Sequence, residues 1–211
     1  MDQKPVVILV HGLWFGSWAM ARLARKLQAA DYNVLRFNYR STKAGLDAHA
    51  RQLDKFVQAH AAGQTHFVGH SLGGLLILRM LSGAEDVPPG RVVLLGSPLH
   101  GSAVARKSTR VPGGSKLLGQ ARGDLFSGYA HLPGGREIAM IAGSRALGLG
   151  RLVGGTEGPG DGTVAVEETR VPGLAAHRTL PVSHTSMLFS AQVARMTVNF
   201  LQSGHFEGRG A

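Results

Sequence analysis

Cysteine is absent from the 211 residues, which excludes a disulfide framework, thiol catalysis and thiolate metal sites. No apolar stretch approaches the roughly 18 residues needed to span a bilayer, so the chain is expected to be soluble or peripheral and not integral to a membrane. The apolar run 6–10 near the N-terminus is too short for a signal h-region and lacks a small-residue cleavage site. A mature start or cytoplasmic residence is expected from it. Charged residues are sparse at 17%, against 44% hydrophobic, the balance of one globular domain that buries its core without metal or disulfide support. No internal repeat is visible. The domain is expected to span 1–204, with 205–211 as a frayed tail.

Acidic residues are scarce as well. Thirteen face 23 lysines and arginines, for a net charge of +10. No acid occurs between Val87 and Gly123, where Arg91, Arg106, Lys107, Arg110, Lys116 and Arg122 all fall. No nucleic-acid motif or aromatic-basic interleaving accompanies this charge, so nucleic acid is not an expected partner. The excess is either a solvated surface or a surface for an anionic partner.

What is present alternates between strand and helix. The β-branched run 6–10 reads as a strand buried on both faces. Residues 17–30 have helical spacing with Ser17 as a cap. Further strands are expected at 33–38, 65–68, 92–95, 137–142 and 178–182, and helices at 44–61, 72–81 and 192–201. This order implies an α/β fold of about six mostly parallel strands, helices on both faces, and ligand groups at the carboxyl ends of the strands. Two glycine-rich segments, 98–135 and 144–177, interrupt the alternation. Loops of such length are usually lids or binding elements, and 98–135 is a candidate small lid.

Gly69-His70-Ser71-Leu72-Gly73 lies where strand meets helix. Gly-x-Ser-x-Gly alone is weak, because composition yields about 0.3 chance matches. Its context is stronger: the glycines permit a sharp turn that lifts Ser71 above the sheet, next to the positive end of a helix. A serine hydroxyl needs a base, and His184, just beyond the last strand, is the best placed of the ten histidines. His100, His131 and His177 are weaker candidates, and His100 either lines the site mouth or is a solvated loop residue. His70 points away from the serine. The carboxylate that orients the base is assigned to Asp161, between the fifth and sixth strands, with Glu157 as its nearest rival and Asp124 less well placed. The oxyanion donors are assigned to the Leu72 and Leu13 N–H groups, with Trp14 close behind and His11 bracing the loop. Trp14, Phe15, Trp18, Leu99 and His100 are the candidate substrate-pocket residues.

Four motifs in order, His11-Gly12-Leu13 after a strand, Gly69-His70-Ser71-Leu72-Gly73-Gly74, Asp161-Gly162-Thr163-Val164 and Ser183-His184, resemble the α/β-hydrolase superfamily in its compact bacterial lipase and esterase branch. The loop Gly96-Ser97-Pro98-Leu99-His100-Gly101-Ser102 is similar to the post-strand loop of such lipases. The resemblance implies an α/β-hydrolase fold with a minimal cap or none. It implies a serine carboxylic ester hydrolase acting through an acyl-enzyme, with no cofactor and no metal. An acyl thioesterase, or an esterase acting on acyl groups of an acidic carrier protein, uses the same triad. The distant alternative is a non-catalytic binding module on the same fold. A dehalogenase or epoxide hydrolase would need a carboxylate in place of Ser71. With the basic segment near the mouth, the expected partners are an ester substrate and either an anionic interface or an acidic acyl carrier protein.

Overall fold

The computed structural model describes residues 4–129, 131–147 and 154–208. Six strands, β1 (Val6–Val10), β2 (Asn33–Phe37), β3 (Thr65–His70), β4 (Val92–Leu95), β5 (Ile138–Gly143) and β6 (Ala176–Leu180), form one sheet in the order β2-β1-β3-β4-β5-β6. Every neighbouring pair is parallel, so all the strands end on the same edge. The fold class read from the sequence is the one observed.

β-Strand side chains alternate between faces, and the two faces bury separate cores. Val6, Ile8 and Val10 join Phe67, Leu94 and Met140 against α2 (Leu46–His60) and α3 (Leu72–Gly83). Val7 and Leu9 join Val68, Val93 and Ile141 against α1 (Ala21–Gln28) and α7 (Ala191–Ser203). The amphipathic α1 buries Leu23, Ala24 and Leu27 while Arg22, Arg25 and Lys26 stay outside. By contrast α3, at the centre, is buried on almost every side. Ser190 caps α7 by accepting from Val193 N–H at 3.3 Å.

Some boundaries differ from the sequence reading. Residues 17–20 form a 3-10 turn ahead of α1, and the Ser17 side chain caps nothing. Instead its N–H donates to Asn38 Oδ1 at 3.0 Å, which ties the loop after β1 to the end of β2. The last strand lies two residues earlier than expected. Pro181 has no N–H to donate to a ladder, so pairing with β5 ends at Gly143 opposite Leu180.

Within the long segment 98–135, α4 (Ala103–Ser108), α5 (Gly114–Leu118) and α6 (Arg122–Ser127) follow β4, and Leu118, Ala121 and Leu125 pack with Leu99 into the core. The second long segment includes 148–153, which lies outside the described residues. Of the stretch expected to fray, Phe206 is 4% exposed and packs on Phe200 with ring centres 5.4 Å apart, and 209–211 lie outside the described residues.

Candidate active site

Ser71 joins β3 to α3 with φ 54° and ψ −123°, a backbone conformation that costs a residue with a Cβ about 1–3 kcal/mol. Two interactions hold it there. Its N–H donates to Leu95 O at 2.9 Å, which pins the turn to β4. α3 also starts so close to β1 that a Cβ on Gly73 would lie 2.3 Å from Val10 O and 2.5 Å from His11 O. Only glycine permits that approach, and the glycine spacing around Ser71 reflects it.

His184 follows β6, and its Nδ1 lies 2.7 Å from Asp161 Oδ2. Asp161 is 1% exposed. Its other oxygen, Oδ1, accepts from Thr163 N–H at 2.9 Å and Val164 N–H at 2.7 Å, and its carbonyl accepts from His184 N–H at 3.0 Å. The strand-like bridge Gly160–Ala165 frames this turn. Burial pushes the Asp161 carboxyl up, but His184 and the two amides pull it below its ordinary value. The carboxylate is therefore held charged, with one oxygen facing the imidazole. Gly96, at the end of β4 with φ 58°, makes the space for this pair. A Cβ there would meet Asp161 Oδ2 at 3.0 Å and His184 Nδ1 at 3.3 Å.

The rival acids are engaged elsewhere. Glu157 pairs with Lys107 at 3.4 Å, and Asp124 accepts from Leu46 N–H at 3.1 Å, at the start of α2. The other histidines are also accounted for. The His177 ring contacts Thr169 Oγ1 at 2.8 Å. His131 and His100 line an open groove with Leu132, Arg136 and Pro172 that includes none of Ser71, Asp161 or His184.

His70 turns away from Ser71 toward the base. Its ring lies 4.7 Å from the His184 ring and its Nε2 2.8 Å from the His184 carbonyl. With Nε2 donating, the buried Nδ1 has no partner among the described residues. Burial first, and the neighbouring His184 second, push its pKa down to about 3, so it stays neutral and braces His184 from behind. Ser71 and His184 are each 7% exposed. No hydrogen bond joins them among the described residues, and such bonds commonly tighten only when substrate is bound.

The loop after β1 approaches Ser71 closely, and a Cβ on Gly12 would lie 3.0 Å from the Ser71 Cβ. His11 stacks on Tyr39 at 4.5 Å. Its Nε2 accepts from Tyr39 N–H at 3.4 Å, its Nδ1 lies 2.9 Å from Gly12 O, and Tyr39 Oη donates to its carbonyl at 3.0 Å. Burial depresses its pKa, and it braces the loop. Trp14, in a left-handed conformation at φ 62°, donates its N–H to Ser41 Oγ at 3.0 Å and its indole N–H to Leu117 O at 2.8 Å. The Leu13 and Leu72 N–H groups have no acceptor among the described residues. The Trp14 amide is taken by Ser41, so of the two neighbouring amides Leu13 and Trp14 it is Leu13 that keeps its N–H free among the described residues.

Of the candidate pocket residues, Phe15 lies at the site, with its ring 6.0 Å from that of His70. Trp18 stacks edge-on against Phe15 and is 67% exposed, and Trp14 is 55% exposed. Leu99 is fully buried in the core and presents no surface. His100 is exposed, facing the separate groove. Reading the sequence alone missed Ser41, Tyr39 and Glu168. The Glu168 carboxylate accepts from Ala103 N–H at 2.6 Å and Ala165 N–H at 2.9 Å, which ties α4 to the Asp161 turn.

The sequence profile of the alpha/beta hydrolase family matches residues 7–206. A carbendazim hydrolyzing esterase of Nocardioides sp. (strain SG-4G) is 30% identical over 79 residues, which span 33% of this chain and 33% of that protein. The match thus covers only a third of that relative's length. Among solved structures, a Bacillus licheniformis lipase in mature form superposes with a TM-score of 0.71 at 20% identity, covering 89% of this chain and 88% of that one. A metagenomic carboxyl esterase gives 0.74 at 15% identity, over 89% of this chain and 66% of its own. The phospholipase PlaB from Legionella pneumophila gives 0.63 at 20%, over 79% and 46%. At these identities the solved structures share the fold.

Proposed function

Because the chain belongs to the alpha/beta hydrolase family, we propose that it cleaves carboxylic esters through an acyl-enzyme formed on Ser71. The observation that carries this reading is the buried 2.7 Å contact between His184 Nδ1 and Asp161 Oδ2, set beside a serine in a strained turn at the head of a helix. With Nδ1–H held by the carboxylate, Nε2 is the basic nitrogen that takes the Ser71 proton as Oγ attacks the carbonyl carbon. The tetrahedral oxyanion is received by the free N–H groups of Leu13 and Leu72, each worth about 2.7–4 kcal/mol of barrier. The imidazolium returns its proton to the alkoxide as the C–O bond breaks and the alcohol leaves. A water, deprotonated by the same Nε2, then hydrolyses the acyl-enzyme and restores Ser71.

In this proposal α4–α6 act as a small cap, supported by the Trp14–Leu117 contact between the oxyanion loop and α5. The same residues would also cleave acyl thioesters. The unpaired cations around the mouth favour an anionic partner, whether an anionic interface or an acidic acyl carrier protein. Relative rates on matched oxygen esters and thioesters separate the leaving groups.

A fluorophosphonate probe tests the core of the proposal. One equivalent of label should attach to the wild type and none to Ser71→Ala, and hydrolysis of p-nitrophenyl acetate should fall with it. Equal labelling of folded Ser71→Ala, or a folded wild type that neither labels nor turns over, refutes the reading in favour of a binding module.

A further inference from the structure

The surface of the molecule is divided into two poles. All segments leaving the carboxyl ends of the strands emerge at one edge of the parallel sheet, and that pole collects the exposed apolar side chains. Trp14 and Trp18 follow β1, Val111 and Leu117 follow β4, Leu147 follows β5 and Phe189 follows β6. These are the exposed large hydrophobic residues of the described chain. A soluble surface scatters such residues, whereas collecting them at one end marks an interaction face.

Exposed cations accompany these apolar side chains. Arg40, Lys43, Arg110, Lys116, Arg122 and Arg145 are exposed at this pole, and none has an ion-pair partner among the described residues. The acids of the same pole are spent internally. Asp161 is held by His184, Glu157 by Lys107, Glu167 by Arg170, Glu168 by two backbone amides and Asp124 by Leu46 N–H. Three ion pairs lie at the opposite pole, Lys4 with Asp31, Arg91 with Glu137 and Arg178 with Glu207, while Arg25 and Lys26 on α1, Lys55 on α2 and Arg195 on α7 are further exposed cations with no ion-pair partner among the described residues.

Apolar and basic groups interleave at the centre of this pole. The Trp14 indole N–H is satisfied by Leu117 O at 2.8 Å, so the ring and the 63% exposed Leu117 side chain leave water without stranding a donor. Lys116 adjoins Leu117. Gln120 N–H donates to Thr42 O at 3.1 Å, which brings Arg40 and Lys43 alongside.

We propose that this pole is a docking face for an anionic lipid bilayer, with Trp14 and Leu117 entering the headgroup boundary and the unpaired cations contacting lipid phosphates. It rests on the reading of this pole as the ester-hydrolysing mouth, and names the surface from which that mouth is fed. An acidic protein would satisfy the cations but would cover aromatic and leucine side chains with polar surface. A bilayer satisfies both.

Binding is measured apart from catalysis by using Ser71→Ala protein with phosphatidylcholine vesicles containing 0 or 30% phosphatidylglycerol. The chain has only two tryptophans, both at this pole, so its intrinsic emission reports directly. The proposal expects co-sedimentation with the anionic vesicles, a blue shift of emission, and loss of binding in 0.5 M salt. Lys116→Glu/Arg122→Glu should weaken partitioning by at least about tenfold, from roughly fivefold per cation near a charged surface. Lys55→Glu/Arg195→Glu, with the same charge change on the outer faces of α2 and α7, should change it less than threefold. Leu117→Gln, which keeps the carbonyl that holds Trp14, should also weaken vesicle binding about tenfold. Far-UV circular dichroism and thermal melts of each variant verify folding.

Equal weakening by the two double variants would overturn the proposal, as would absence of the blue shift. Polyglutamate binding as tight as vesicle binding, with Leu117→Gln neutral on vesicles, would assign the face to an acidic protein instead. Vesicle binding by a protein that hydrolyses no ester would refute the functional reading while leaving the docking face intact.

Discussion

Asp161→Asn isolates the role of the carboxylate with almost no change of shape. In the native turn Oδ1 accepts two amide N–H bonds, at 2.9 and 2.7 Å, while Oδ2 faces His184 Nδ1 at 2.7 Å. The asparagine oxygen will stay on the two amides, since turning the NH2 toward them strands two buried donors at about 1–3 kcal/mol each. Its NH2 then faces Nδ1 and makes that nitrogen the acceptor. The imidazole proton moves to Nε2, and the ring can no longer take a proton from Ser71. Reaching the working tautomer means stranding those donors, near 4 kcal/mol in sum, or about 10³-fold in kcat. Loss of the charge that stabilises the imidazolium adds to this, so kcat should fall about 10³- to 10⁴-fold. KM should change little, because Asp161 is buried beneath the base. The assay is steady-state turnover of p-nitrophenyl acetate from pH 7 to 9, with far-UV circular dichroism as the fold control and Glu157→Gln as the companion variant. A folded Asp161→Asn enzyme within tenfold of wild type, or a collapse in Glu157→Gln instead, refutes the assignment.

Ser71→Gly should raise the melting temperature even as it abolishes labelling, because φ 54° costs serine what glycine does not pay. A net gain of about 1 kcal/mol corresponds to roughly 2–4 °C for a chain of this size, and Ser71→Ala should show no such gain. Stability should also decline as pH falls from 7 to 5. Burial pushes His66 down to about 4 and His70 to about 3, while the unfolded chain binds these protons near pH 6.5. Below 6.5 the unfolded state therefore holds more protons, at a cost of about 2 kcal/mol per histidine by pH 5. Thermal melts across that window check the slope, and a flat profile contradicts the buried neutral histidines.

The sheet and its helices were legible because their signals are local. The fully apolar runs of β1 and β4, the amphipathic spacing of α1 and the glycines around Ser71 each state a requirement within a few residues. The elbow in particular is written in sequence: Gly73 must pass Val10 O within 2.3 Å of where a Cβ would stand, and no other residue fits. Ser17 misled as a cap because the partner of its N–H, Asn38, comes from the loop after β2. Leu99 could not be told from a pocket residue, nor the two places open to His100 decided, because the segment after β4 folds back through Leu118 and Leu125, burying Leu99 and turning His100 outward.

Chain order and glycine spacing alone determined the parallel α/β architecture, the turn at Ser71 and the position of His184 beyond the last strand. The tertiary structure decided which acid faces His184, across 23 residues of sequence, and that His70 reaches its carbonyl across 114. It also decided that Ser41 takes the Trp14 amide while the Leu13 N–H keeps no acceptor among the described residues, and that, among those residues, Arg91 and Lys107 of the basic segment are paired while Arg110, Lys116 and Arg122 are not. These facts depend on distances through space, and sequence separation carries no information about such distances until the chain has packed.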